Sequence, residues 1–335
     1  MAKKVSPERV LTEHNQELSY LSDISPQDKP WDKHRADADK TALMYRQKGF
    51  ERNFERIDDC SRMLEFVMRP DLEKGRLFKL ANARFCRVRL CPVCQWRKSL
   101  MWRARFFTAV PKILKDYPNH RFIFLTLTVK NCPLEDLRET IAWMNKAWSK
   151  MTKRKKFPAV GWVKSVEVTK QKKKTHESKS ALMAHPHFHS VLMVPSGYFA
   201  GKNYLSQKAW CELWKSCLGV DYQPTVHVQA IKPKSGSSED VIAHNTNLIK
   251  KSLIETLKYS AKPSDFLDDP DFLEGLTIQL HKTRSIAVGG IFKQYISNKE
   301  PENLINSEDA DDEILANEGK FLFGWRDYEK RYRSL

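Results

Sequence analysis

The run Phe122-Ile-Phe-Leu-Thr-Leu-Thr-Val129 constrains the fold of this chain most. It is rich in β-branched and aromatic residues and free of glycine, proline and charge, so it predicts a strand. It also marks a change of character. Before it, apolar residues recur about one helical turn apart, which predicts helices from Leu43 to Val67 and from Gln95 to Tyr117, the second with Trp102, Phe106, Val110 and Ile113 on one face. After it, strands and helices alternate irregularly. Strands are expected at Gly161 to Thr169, His187 to Val194 and Thr225 to Ile231. Helices are expected at Leu134 to Met151, Ser206 to Cys217 and Asn247 to Ala261, the last capped by Asn247. The second and third strands read as a hairpin around the lysine-rich stretch 170–179. The expected fold class is therefore α+β, a central antiparallel sheet covered by helices.

The flanks differ in composition. Residues 1–45 are polar and poorly periodic, which predicts a mobile arm; 46–117 is a helical, cysteine-bearing region; 118–298 is the sheet domain; 299–319 is an acidic linker; 320–335 is a basic and aromatic tail. Lysine and arginine exceed the acids by 58 to 41, a net charge of +17 that favours a polyanionic partner, most commonly nucleic acid. No apolar run approaches the roughly 18 residues of a membrane span. The N-terminus has no signal-peptide pattern, and the seven cysteines are odd in number. Together these point to a reducing, cytoplasmic setting without membrane association.

His185-Pro-His-Phe-His189 opens a strand. Residues two apart share a face, so His187 and His189 project together while Phe188 enters the core. Glu167, between Val166 and Val168 on the neighbouring strand, faces the same way and lies within about 5 Å. Two imidazoles and a carboxylate suit a divalent ion with open positions. His185 is a spare ligand or a phosphate contact. Cys91-Pro-Val-Cys94 has a metal-binding spacing, with Cys86 as a third ligand and Cys60 as the best fourth; the competing reading is a set of buried free thiols. On the helix through residue 259, Glu255 and Tyr259 are four apart and share a face, with Lys262 nearly in line. Tyrosine, carboxylate and lysine can then converge on one phosphate. Two basic runs, including Lys153, Arg154 and Lys155 in one and Lys172, Lys173 and Lys174 in the other, are DNA contacts or simply solvated faces.

Taken in order, Phe124-Leu-Thr-Leu-Thr128, Glu167, His-Pro-His-Phe-His189 and Glu255-x-x-x-Tyr259 resemble the motifs of HUH endonucleases. The resemblance is to the single-tyrosine Rep initiators of rolling-circle replication in small bacterial plasmids. The cysteine element 86–97 and Arg284-Ser-Ile-Ala-Val-Gly-Gly-Ile-Phe-Lys293 resemble that family too. The resemblance implies an RNA-recognition-like sheet with the histidines on a central strand, and Mg²⁺ or Mn²⁺ held by His187, His189 and Glu167. It implies Tyr259 as the nucleophile of site-specific nicking and joining through a 5′-phosphotyrosine, and Glu255 as activator of the terminating water. Structural Zn²⁺ is the expected second metal. The expected partners are single-stranded and supercoiled origin DNA. A host helicase and polymerase are also expected, because the chain has no Walker-type phosphate loop. Three alternatives stand beside this: a HUH transposase or relaxase, an origin-binding protein that never cuts, and an RNA-binding zinc protein.

Overall fold

Two compact units divide the chain in the computed structural model, Met1–Arg97 with Asn303–Leu335, and Lys98–Glu302. The residues described are 19–71, 75–171, 182–231, 238–258, 260–297, 304–305 and 319–335.

In the first unit, helices α1 (Pro30–Gln47) and α2 (Glu51–Asp58) precede an antiparallel hairpin of β1 (Met63–Asp71) and β2 (Gly75–Ala83). The C-terminal strands Lys320–Arg326 and Arg331–Ser334 complete a four-stranded antiparallel sheet by pairing on the free edge of β1. Three sequence expectations need correction here. The helix expected from Leu43 to Val67 is two helices and a strand. Gly49, at φ +76°, takes the left-handed conformation that ends α1. From Met63 the burial alternates, with Leu64 and Phe66 inside and Met63 exposed, which is the period of a strand. The mobile arm expected over residues 1–45 contains most of α1, where Trp31, Ala38, Ala42 and Tyr45 form a buried stripe at helical spacing. Their many charged neighbours hid that stripe in the composition. The tail likewise enters the sheet, with Phe323, Trp325 and Tyr332 buried. Of the acidic stretch 299–319, only 304–305 and 319 are among the described residues.

Helix α3 (Pro92–Asp116) contributes its first turns to this unit and the rest to the second. The second unit continues with β3 (Arg121–Thr128), α4 (Leu137–Thr152), β4 (Gly161–Lys170), β5 (Met183–Val194), α5 (Gln207–Leu218), β6 (Val226–Ile231), α6 (Glu239–Thr256), α7 (Pro270–Gln279) and β7 (Ile286–Gly290). Its sheet runs β6-β3-β5-β4-β7, all antiparallel, with a two-residue strand Cys132–Pro133 against the start of β5. This is the α+β architecture that the sequence implies.

Helices cover both faces, which explains why β5 ends in the unbroken apolar run Val191-Leu-Met-Val194, buried throughout. On one face, Val191 and Met193 join Val163, Phe106 and Val110 of α3, and Ile249 and Leu253 of α6 in one core. On the other, Phe188 meets Trp148 of α4 and Trp214 of α5, each at a ring separation of 6.2 Å. Among the described residues no helix is long and apolar enough to cross a membrane.

Helix α6 differs from expectation at both ends. It begins at Glu239, with two acidic residues in its first turn favouring the helix dipole, so Asn247 is internal rather than a cap. It stops at Thr256 instead of Ala261. Beyond it, Val168 N–H of β4 donates to the Ser260 carbonyl at 2.9 Å, and Ala261 forms a parallel bridge with Val168. Pairing with β4 outweighs helix propagation at this point.

Candidate active site and cysteine centre

Strand register builds the first constellation. Glu167 on β4 lies directly opposite His187 on β5, and His189 lies opposite Thr126 on β3. These partners share one face because directly opposed residues in an antiparallel pair do. Phe188 points the other way and is fully buried. Glu167 Oε2 faces both imidazoles, 3.2 Å from His187 Nε2 and 2.8 Å from His189 Nε2.

The hydrogen bonds fix what these rings can do. His187 Nδ1–H donates to the His185 carbonyl at 3.2 Å. In a neutral ring that leaves a lone pair on Nε2, facing a carboxylate oxygen. Two such acceptors are compatible only with a cation on or between them, a proton or a metal ion. Thr126 Oγ1 is 3.1 Å from His189 Nδ1 and orients that ring in the same way. The other carboxylate oxygen, Glu167 Oε1, is buried and pairs with Lys262 Nζ at 3.2 Å. Burial pushes the Glu167 carboxyl up, yet the hydrogen bonds and charges of the two histidines more than offset this and hold it well below the usual carboxylate range. In turn the Glu167 carboxylate raises the Lys262 ammonium above its ordinary value. Two imidazole nitrogens and a buried carboxylate, all within 4.8 Å, are a donor set that fits a Mg²⁺- or Mn²⁺-sized ion.

Lys262 reaches this set by a route the sequence did not indicate. It is not on a helix face with Glu255; it follows the extended segment held by β4. Glu255 sits in the last turn of α6, half-exposed and paired with Lys258, and its charge is felt by Lys262. Tyr259 lies outside the described residues. Lys153, Arg154 and Lys155 are exposed in the turn after α4, whereas Lys172, Lys173 and Lys174 lie outside the described residues.

Two contributors escaped the sequence reading. Thr126 supports His189, and Asn131 accepts from His185 Nδ1. The signal for Thr126 was present: in Leu125-Thr-Leu-Thr128 the threonines alternate with buried leucines and so share the histidine face.

The second constellation lies in the first unit. Sγ of Cys60 is 3.7 Å from that of Cys94 and 3.8 Å from that of Cys91, and the Cys86–Cys94 pair is at 3.5 Å. A disulfide needs about 2.05 Å. A tetrahedral ion with Zn–S bonds of about 2.3 Å sets its sulfurs about 3.8 Å apart, so these spacings fit zinc. Cys60 completes the group despite its sequence distance because buried Arg35 holds its turn. The Arg35 guanidinium donates to the carbonyls of Ile57, Asp58 and Cys60, each at 2.7 Å. Tyr332 OH, from the C-terminal strand, donates to Ser61 O at 2.6 Å. Backbone N–H groups of Arg87 and Cys86 point at Cys94 and Cys60 sulfur, at 3.2 and 3.4 Å, as partners of thiolates do.

Residues 77–333 match the profile of a family described as "Replication protein". The chain belongs to that family. Among its relatives are "Protein rep" of Streptococcus pneumoniae, 32% identical over 91% of this chain and 92% of that protein. "Protein rep" of Lentilactobacillus hilgardii is 32% identical over 93% of this chain and 97% of that protein. One from Staphylococcus aureus is 36% identical over 65% of this chain and 85% of that protein. No solved structure matches the chain. The region matched in this replication protein takes in Glu167, His187, His189, Glu255 and Lys262 together with Cys86, Cys91 and Cys94, while Cys60 lies ahead of it.

Proposed function

We propose that this replication protein initiates rolling-circle copying of a plasmid by nicking one DNA strand, with Tyr259 as nucleophile. The observation that carries the reading is the buried Glu167 carboxylate shared by His187 and His189, with Lys262 on its far oxygen.

A bound Mg²⁺ or Mn²⁺ supplies polarisation of the scissile phosphate and offsets its developing charge. The chain's own residues do the remainder. His187 and His189 present their Nε2 atoms, oriented by the His185 carbonyl and Thr126. Lys262 places a positive charge beside the same oxygen cluster, where it attracts a phosphate. A tyrosine phenol is a weak nucleophile while protonated, so Tyr259 attacks phosphorus as its proton leaves. The phosphorus–O3′ bond breaks, the 3′-oxygen takes up a proton, and a 5′-phosphotyrosine ester remains. That ester retains the bond energy for rejoining. Unwinding and copying fall to a host helicase and polymerase.

Incubating the protein with Mn²⁺ and a supercoiled plasmid bearing its replicon tests this: relaxed plasmid is expected, and persistence of the supercoil under saturating binding overturns the reading in favour of an origin-binding protein.

Termination needs a second cleavage while Tyr259 is tied to DNA, and no second tyrosine lies within four residues of it in the sequence. Glu255 is the carboxylate available to activate a water. Glu255→Ala is therefore expected to keep initial nicking within about tenfold, or roughly 1.4 kcal/mol. Single-stranded products longer than one replicon unit should accumulate. Normal termination by the variant would leave Glu255 as the surface partner of Lys258 alone.

The cysteine centre is proposed to hold a structural zinc. Metal analysis of the purified protein should find about one tightly held zinc per chain, resistant to dialysis. A zinc-free folded protein would return the four residues to ordinary buried thiols.

A further inference from the structure

The sheet face that carries His187 and His189 continues beyond them. His189 opposes Thr126, and Thr126 opposes His227 on β6, so the three form one row on one face. Two strand spacings, about 10 Å, separate His227 from His189. Gln229 lies two residues further along β6 and points the same way. Both side chains are exposed, whereas Ile231 on the same face is buried in the core beneath α3 and α6. The helices thus cover the far end of this face and leave the end near the histidines uncovered on β6, an edge strand.

The uncovered stretch has a cationic, aromatic border. Lys130, just past β3, donates its backbone N–H to Tyr222 OH at 3.3 Å, and its exposed ammonium lies 4.4 Å over the Tyr222 ring. Thr128 Oγ1 donates to the Thr225 carbonyl at 2.9 Å, which holds the segment before β6 against the end of β3. Among the described residues the surface therefore offers an ammonium, an imidazole, an amide and a ring, with half-buried Phe124 opposite Gln229 and stacked on His189.

We propose that His227 and Gln229, with Lys130 over Tyr222, form a track for single-stranded DNA flanking the scissile phosphate. Its register with the scissile phosphate rests on the nicking reading; its affinity for DNA does not. Lys130, held over the Tyr222 ring, and His227 donate to phosphate oxygens, and Gln229 hydrogen-bonds a base edge. The net charge of +17 and the membership of a replication-protein family favour DNA over a protein partner.

The test is fluorescence anisotropy of the full-length protein with a labelled single-stranded oligonucleotide of mixed sequence, in EDTA so that no divalent ion bridges protein and DNA. His227→Ala combined with Gln229→Ala is expected to weaken binding about tenfold. Lys130→Gln is expected to lower the slope of log affinity against log salt by about one. All three positions are exposed, so folding is not at stake, and unchanged thermal melting checks this. Binding within twofold of wild type by the double variant overturns the track, as does an unchanged salt slope for Lys130→Gln. Loss of binding in EDTA by these variants supports the track even if the wild-type protein fails to relax plasmid. That failure would count against the nicking reading alone.

Discussion

Tyr259→Phe is expected to abolish nicking, with a loss of about 10⁴-fold or more, because it removes the attacking oxygen and nothing else. Phenylalanine keeps the ring and its volume, so DNA affinity should stay within about twofold of wild type, roughly 0.4 kcal/mol. The decisive measurement is intact mass after reaction with a single-stranded origin oligonucleotide and Mn²⁺. The wild-type protein should gain the mass of the 5′-phosphorylated fragment, and the variant should gain none. A phenylalanine variant that still cleaves would falsify the assignment of the nucleophile. Glu255 would then need examination as an activator of water in the first step.

His187→Ala or His189→Ala should lower Mn²⁺-dependent nicking by about 100-fold or more, roughly 2.7 kcal/mol of transition-state stabilisation. Each substitution deletes one of two nitrogen donors. What remains is a carboxylate and a single imidazole, too few to fix a divalent ion in position. Because the lost quantity is metal affinity as well as geometry, part of the activity should return as Mn²⁺ is raised. His187→Ala carries a structural consequence too. Buried Glu167 then loses a hydrogen-bond partner at 3.2 Å, a loss worth about 1–3 kcal/mol for a buried polar group without replacement. A fall in melting temperature should accompany the fall in activity, and the melting deficit should persist in EDTA. Full activity of either variant at low Mn²⁺ would remove the histidines from the site.

The carboxylate–histidine constellation was legible in the sequence because strand geometry is local. Alternation by two put His187 and His189 on one face and Phe188 on the other, and a hairpin brought Glu167 beside them. The register in the structure, Glu167 against His187, follows from those same alternating patterns, since a one-residue slip would have turned the imidazoles toward Trp148 and Trp214 and set Phe188 beside Glu167. The cysteine group was legible in its Cys-x-x-Cys core. Cys60 as the best fourth member stands 26 residues ahead of Cys86 in the sequence. In the structure it depends on Arg35 and Tyr332, which come from opposite ends of the chain.

Errors concentrated where local pattern and tertiary context compete. A short apolar run such as Met63–Val67 fits either period, and pairing with β2 on one side and with the C-terminal strand 320–326 on the other decides for the strand. Helix α6 carries no strong stop signal at Thr256, yet the following residues leave the helix to pair with β4. That exit, not helical spacing, brings Lys262 to Glu167.

Neighbouring residues encode the α+β class, the strand faces and the residue types of both constellations, because burial with a period of two or 3.6 is a local pattern. Only the tertiary structure decided which distant segments close each centre: the extended segment 260–262 at Glu167, and the tail and α1 around Cys60. The physical reason is that such closures rest on a few buried hydrogen bonds and pairings between segments far apart in the chain. Their free energy exists only once the core has brought both partners together, and no local pattern encodes it.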